Sequence, residues 1–291
     1  MTVDAVVCTK DRPREVERCL KSLAAQTNRP ARVIIVDASG SPGHAAAPGL
    51  RLELIASSPA LPRQRNVALS LATADLVAFF DDDVELEPDY LAEAIRFFEA
   101  HPDCAALTGN ITNDPVRPAA SRLFRSAFSL ANDDGMLRPS GDANYLRHPA
   151  RPTRVDVVSG SNMVFRRAAI GDATFDERLD GYAYAEDVDF SLRVGTRGEV
   201  WSISSARLTH YLTQTARIAR GKFIEQSFVN AALLFSRHRY SRDLRRGAFV
   251  RRLAGRTLAY ALLSLSTRST DPIAGTVRGL RRVPRALRAA G

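Results

Sequence analysis

Cysteine is scarce in this 291-residue chain: the three present, Cys8, Cys19 and Cys104, lie far apart. They form no C-x-x-C pair and have no histidine at ligand spacing, which excludes a disulfide framework or a zinc ribbon and leaves reduced core residues of a cytosolic protein. Long apolar runs are missing as well. A membrane-spanning helix needs roughly 18 or more consecutive apolar residues, whereas the longest uncharged C-terminal run, Thr257 to Thr267, has 11. No basic stretch followed by an apolar one precedes the first strand-like run, so no signal peptide is expected and the chain should act in the cytoplasm, at most on the inner face of a membrane. A Walker A pattern is absent, and "CTKDRPRE" after the first apolar run contains no glycine. Internal repeats and low-complexity tracts are absent too.

What is present suffices for a folded core: 45% of residues are hydrophobic and 25% charged, enough for one large domain or a main domain with an appendage. The net charge of +9 is unevenly spread. Residues 217–291 hold 17 basic against 3 acidic side chains, and the rest of the chain 24 against 29. The basic character is therefore a C-terminal property.

Strand and helix patterns alternate from the start. Val3 to Thr9 reads as a strand, Pro13 suits a first helical turn, and Val16, Leu20 and Leu23 form one apolar stripe. A second apolar run, Val33 to Val36, closes on Asp37, and a helix from about Arg63 to Leu71 precedes a third run ending at Asp81. Such alternation predicts an α/β layer with a mostly parallel sheet. Ligands of these sheets bind at the carboxyl ends of strands, where Thr9 to Arg12, Asp37 and the trio Asp81, Asp82 and Asp83 converge.

Farther on, a helix containing Tyr90, Leu91, Ala94, Ile95 and Phe98 leads to a strand around Ala105 to Leu107. Residues 113–153 lose periodicity and are expected to form a loop or partly helical insertion, of the kind that often carries specificity. Two short strands are expected around Gly160, and a helix beginning near Glu186 and Asp187, acids that suit a helix N-terminus. In residues 216–291 a basic amphipathic helix sets Arg245, Arg252 and Arg256 on one side and Val250, Ala254, Leu258, Ala261, Leu262 and Leu265 opposite.

Three adjacent carboxylates at the end of a buried strand repel one another unless a cation or hydrogen bonds compensate. A hard divalent ion, Mg²⁺ or Mn²⁺, shared with substrate phosphates resolves the conflict. Turn capping is the other reading, although one Asp would suffice for it.

The ordered set "TKDR", "VIIVDASG", "RQRNVALS", "VAFFDDDVELEP", "VSGSNMVFRR" and "YAEDVDFSLRV" resembles family 2 glycosyltransferases of the GT-A fold from residue 3 to about 212. The resemblance implies a Rossmann-like GT-A domain over residues 1–215 with a basic helical extension over 216–291. It also implies transfer of a sugar from a nucleoside-diphosphate donor, with UDP the preferred guess, to a glycan, glycolipid or small-molecule hydroxyl, with inversion and a divalent metal. Carried over by position, Thr9 and Arg12 border the nucleotide, Asp37 bonds the base, and Arg65 and Asn66 contact the donor. Asp81 and Asp82 lie by the donor, while Asp83, Asp81 and His210 hold the metal. Gly160, Ser161 and Asn162 form an acceptor-side loop, and Asp187 is the general base beside Glu186, with Asp189 the weaker candidate. Trp201 and the pair Tyr182 and Tyr184 are candidates for stacking on sugar, with core packing the alternative.

Other enzyme classes fit less well. A sugar-1-phosphate nucleotidyltransferase would show a glycine-rich loop after the first strand, and "DDDVE" lacks the D-x-D-x-[TV] order of a phosphatase that uses strand-end aspartates. A non-catalytic nucleotide-sugar-binding relative would be expected to lose one carboxylate set, and both are here. The basic C-terminus is expected to touch an anionic membrane surface peripherally rather than nucleic acid, since no reader motif or interleaved aromatics accompany it.

Overall fold

The computed structural model describes residues 1–41, 43, 47–179, 184–213 and 219–289. The chain opens with β1 (Val3–Thr9), α1 (Pro13–Ala24), β2 (Arg32–Asp37), β3 (Leu52–Ala56), α2 (Leu61–Leu71) and β4 (Leu76–Asp81). β5 (Val84–Leu86), α3 (Tyr90–Ala100), β6 (Cys104–Ile111) and α4 (Ala119–Ala127) follow. Next come β7 (Thr153–Arg154), β8 (Asn162–Arg166), α5 (Arg167–Ile170), α6 (Glu186–Val194) and β9 (Glu199–His210). Three helices end the chain: α7 (Arg220–His238), α8 (Arg246–Thr267) and α9 (Asp271–Ala289).

One sheet runs in the order β3-β2-β1-β4-β8-β6-β9-β5, with β7 on β9. Its first four strands are parallel, as expected for βαβ units. Beyond β4 it turns mixed, because β8 runs antiparallel to both β4 and β6. The two strands flanking Gly160 pair with different neighbours, β7 with β9 and β8 with β4 and β6, so the turn between them is not a hairpin.

Strand periodicity sends alternate side chains to two cores. Val3, Ala5 and Val7 of β1 and Leu76, Ala78 and Phe80 of β4 join the layer under α1 and α3. Val6, Val77 and Phe79 join the layer with Ala68 of α2 and Phe190 of α6. There the Phe79 ring meets Phe165 and Phe175 edge-on, an arrangement worth about 0.5–1.5 kcal/mol per pair beyond area burial. With helices on both faces, the central strands are buried throughout, which explains their unbroken apolar runs. All three cysteines are free, and burial pushes the Cys8 and Cys104 thiols up to about 12.

The C-terminal helices form a third core with Leu179 of the sheet domain. α9 lies tightly on α7, where a Cβ at Gly275 would fall 2.3 Å from Gly221 O. The helical wheel of α8 sits the opposite way from a basic outer face. Arg252 is 1% exposed, whereas Val250, Leu258, Leu262 and Leu265 are exposed to solvent. Arg252 turns inward because Asp142, about a hundred residues upstream in sequence, meets it at 2.8 Å.

Candidate active site

β4 ends beside the end of β1 and the start of β8, so three side chains in a row emerge at one edge and part in two directions. Asp82 turns back into the protein. Its Oδ2 accepts from Thr9 Oγ1 at 2.7 Å and its Oδ1 from Arg12 at 2.9 Å. Burial pushes Asp82 up to about 6 against the pull of Arg12 and Thr9. Thr9, Arg12 and Asp82 therefore brace the edge together.

Asp81 and Asp83 face the other way, toward β9. Asp83 Oδ1 stands 3.0 Å from His210 Nε2, and Asp81 Oδ2 stands 3.9 Å from the same nitrogen. Ligand atoms of Asp81, Asp83 and His210 lie within 4.8 Å of one another, which is the set expected from the sequence. Burial raises Asp81. Burial acts likewise on Asp83, but the hydrogen bond and charge of His210 outweigh it and hold Asp83 low. Burial works to lower His210, and Asp83 with Asp81 raises it. Two carboxylates and an imidazole suit a hard or borderline divalent cation, which would take the place of the proton they share. The loop after β9 is pinned here, since Asp83 Oδ2 accepts from Thr213 N at 2.8 Å and Asp83 O from Tyr211 N at 2.9 Å.

Asp37, at the end of β2, is buried and accepts from Ser39 N at 2.8 Å. Sequence reasoning missed Gln64, whose amide ties β1 to β2 by donating to Thr9 O at 3.0 Å and Val36 O at 2.8 Å. A buried amide donor at a strand junction has no motif that would reveal it.

Across Arg65 from this edge, α6 begins at Glu186 after Ala185, a non-glycine residue in the left-handed region with φ 74°. Glu186 Oε1 accepts from Arg65 at 2.5 Å, and its Oε2 is buried with no hydrogen-bond partner among the described residues. Burial and the neighbouring Asp187 charge push Glu186 up to about 8 against the pull of Arg65. Arg65 is itself buried, donates to Gly160 O at 2.8 Å and lies 3.6 Å from Asp81, so it joins the two carboxylate groups.

Asp187 is the more open member of the pair, half-buried where Glu186 is buried. Its Oδ2 accepts from Gly160 N at 3.0 Å and its Oδ1 from Val188 N at 2.8 Å. Burial raises it, with Arg65 and these amides opposing. A Cβ at Gly160 would meet Asp187 Oδ2 at 2.9 Å, so the absent side chain makes room for this carboxylate.

Several expected contacts point elsewhere. Asn162 is fully buried, and its Oδ1 accepts from Tyr90 Oη, Thr108 Oγ1 and Gly109 N at 3.0, 2.9 and 2.7 Å. It holds the sheet together behind the site and does not face an acceptor. Ser161 is also buried and bonds Ser159 at 3.0 Å. Asn66 uses both ends of its amide on Phe175, at 2.9 and 2.7 Å, and so fastens a loop rather than facing the donor. Asp189 is fully buried between His238 at 2.8 Å and Arg193 at 2.8 Å. Burial would raise Asp189, but these partners hold it low, and its oxygens are engaged by His238 and Arg193. Trp201 packs edge-on against Phe97, with centroids 5.4 Å apart, and donates to Glu199 at 3.0 Å, in the core reading of that residue. Tyr184 lies beside Asp187 in one cavity with Arg256 over its ring; Tyr182 lies outside the described residues.

The family model of glycosyl transferase family 2 matches residues 4–173. A glucosyl-dolichyl phosphate glucuronosyltransferase of Haloferax volcanii is 29% identical over 125 residues, which cover 40% of this chain and 40% of that relative. The fold resembles a mannosyltransferase from Pyrobaculum calidifontis in complex with GDP-Man and Mn²⁺, with TM-score 0.59 and 16% identity over 97% of this chain and 86% of that one. It also resembles S. aureus TarS, with TM-score 0.56 and 17% identity over 91% of this chain but only 43% of that one. A shorter TarS chain in complex with UDP-GlcNAc gives TM-score 0.52 and 13% identity over 99% of this chain and 91% of that one.

Proposed function

From the premise that this chain belongs to glycosyl transferase family 2 and has the GT-A fold, we propose that it is an inverting transferase. It moves a sugar from a nucleoside diphosphate to a hydroxyl of a glycan, glycolipid or small molecule. The observation that carries this reading is the pairing of a three-donor cluster, Asp81, Asp83 and His210, with a half-exposed carboxylate, Asp187, whose neighbour Glu186 is linked to Asp81 by Arg65. Asp81, Asp83 and His210 would hold Mn²⁺ or Mg²⁺. When bound, the ion supplies charge neutralisation to the departing diphosphate.

The protein's own groups carry the rest. Thr9, Arg12 and Asp82 fix the floor under the nucleotide, and Asp37 stands at the strand end where the base is received. Asp187 takes the proton of the acceptor hydroxyl as its oxygen bonds to the anomeric carbon and the bond from that carbon to the diphosphate oxygen breaks on the opposite face. Glu186, raised by burial, retains a proton more readily, which leaves the negative charge of the pair on Asp187. The amides of Gly160 and Val188 hold this carboxylate in place, and Arg65 in turn holds the Gly160 carbonyl.

UDP is the first donor to test, since Asp37 can accept from a uracil imide; the neighbours bind GDP-Man in one case and UDP-GlcNAc in the other. Calorimetric titration of UDP, GDP and dTDP into wild type and Asp83→Ala, with and without Mn²⁺, tests the reading. One nucleotide should bind only with metal and lose that binding in the variant; absence of binding by all three would overturn it. Acceptor specificity is assigned to residues 113–153. Peripheral contact with an anionic membrane surface is assigned to α8, whose outward Leu258, Leu262 and Leu265 are flanked by exposed Arg251 and Arg268. No described helix is long and apolar enough to cross a membrane. Equal flotation with phosphatidylcholine and phosphatidylglycerol vesicles would refute the membrane assignment.

A further inference from the structure

Three arginines converge on a single carboxylate beside Asp187. Asp142, fully buried in the insertion, receives Arg252 of α8 on Oδ1 at 2.8 Å. Arg256, one turn later, lies 3.9 Å from the same oxygen, and Arg125 of α4 lies 3.9 Å from Oδ2. The neighbouring carboxylates do not offset this excess. Asp133 already serves Arg117 at 2.7 Å and Arg147 at 3.5 Å, and Asp114 bonds Tyr145 at 2.7 Å with Arg147 at 3.5 Å.

With Asp187 in the same wall, five cations face four anions, and burying unopposed charge is costly. Burial pulls Arg125 and Arg252 below the ordinary guanidinium value. Arg252 Nε is buried with no hydrogen-bond partner among the described residues. Arg125 Nε donates to Ala131 O at 2.5 Å, while its terminal nitrogens make no hydrogen bond among the described residues. Arg117, Arg125, Arg252 and Arg256 line a cavity of about 430 Å³ whose wall also includes Tyr184 and Asp187. A site short of negative charge, open to the group that would activate a hydroxyl, is chemically complementary to an anionic substrate.

We propose that this cavity is an anion subsite for the acceptor. The acceptor is a phosphate ester, its phosphoryl oxygens held by Arg125 and Arg256 and its reacting hydroxyl turned to Asp187. This rests on the reading of Asp187 as the acceptor-side base. The phosphate ester is either water-soluble or the headgroup of a lipid, and both share the same recognition chemistry.

Inorganic phosphate and farnesyl phosphate are titrated calorimetrically into the full chain in EDTA, so that no cation at Asp81 and Asp83 contributes. Both should bind wild type and Arg281→Gln, an exposed position of α9, alike, with affinity reduced about tenfold or more in Arg125→Gln and in Arg256→Gln. Tighter binding of farnesyl phosphate identifies a lipid-borne phosphate; equal binding identifies a soluble ester. Failure of wild type to bind either probe, or binding that survives both substitutions, overturns the subsite. Arg125→Gln leaves the buried Arg252–Asp142 pair intact, and an unchanged thermal midpoint confirms that it reports binding rather than folding. The assay needs neither donor nor turnover, so the subsite and the proposed transfer reaction stand or fall separately.

Discussion

Replacing Glu186 by glutamine gives a test of how the paired carboxylates share charge. Glu186 is 3% exposed, and its folded value is raised from 4.5 to about 8. A raised carboxylate binds its proton more tightly in the folded chain, so its contribution is fully present below the unfolded value and is lost as pH climbs toward the folded one. At about 1.4 kcal/mol per unit, ionising Glu186 in place costs the fold roughly 3–5 kcal/mol. Glutamine keeps the shape and cannot ionise. Urea unfolding of wild type and Glu186→Gln at about pH 5, 7 and 9 should therefore show the variant gaining on wild type with rising pH, most of the gain falling between about 5 and 8. Loss of the Arg65 contact shifts all points together and leaves the slope alone. A difference independent of pH would mean that Arg65 keeps Glu186 ionised throughout, and the division of roles with Asp187 would fall.

Asp187→Asn should leave nucleotide affinity unchanged and cut turnover about 10³-fold, within the usual range for a lost general base; near wild-type turnover would exclude Asp187. Gly160→Ala places a Cβ 2.9 Å from Asp187 Oδ2, so turnover should fall about 10–100-fold with a stability loss of only about 1 kcal/mol, measured by kinetics beside thermal unfolding. Arg252→Met removes the tight partner of Asp142, and urea unfolding should show a loss of about 3 kcal/mol, at the low end for a broken buried pair because Arg256 and Arg125 stay near.

The donor edge was readable because each of its parts is local: an apolar run, a terminal aspartate and the turn that follows. Asp37, the Asp81 trio and the Glu186–Asp187 pair all fell where strand ends and a helix start were expected. β3 and β9 were not foreseen, because Leu52–Ala56 is a half-exposed edge strand and β9 gains its 12-residue length from partners on both sides. The roles of Asn66, Asn162 and Asp189 depend on Phe175, Tyr90 and His238, all distant in sequence, so no local pattern distinguishes them from ligand-facing residues. The inward turn of α8 has the same cause. Helical periodicity separated its two faces correctly, but only the position of Asp142 decides which face is buried.

Ala185 has a consequence for sequence tolerance. Its left-handed backbone disfavours any side chain branched at Cβ, whatever that side chain touches. In a saturation library, position 185 should accept glycine and asparagine and reject valine, isoleucine and threonine, a profile set by the main chain alone. A half-buried alanine in the wall of the arginine-lined cavity would then score among the intolerant positions for a reason that lies in its backbone.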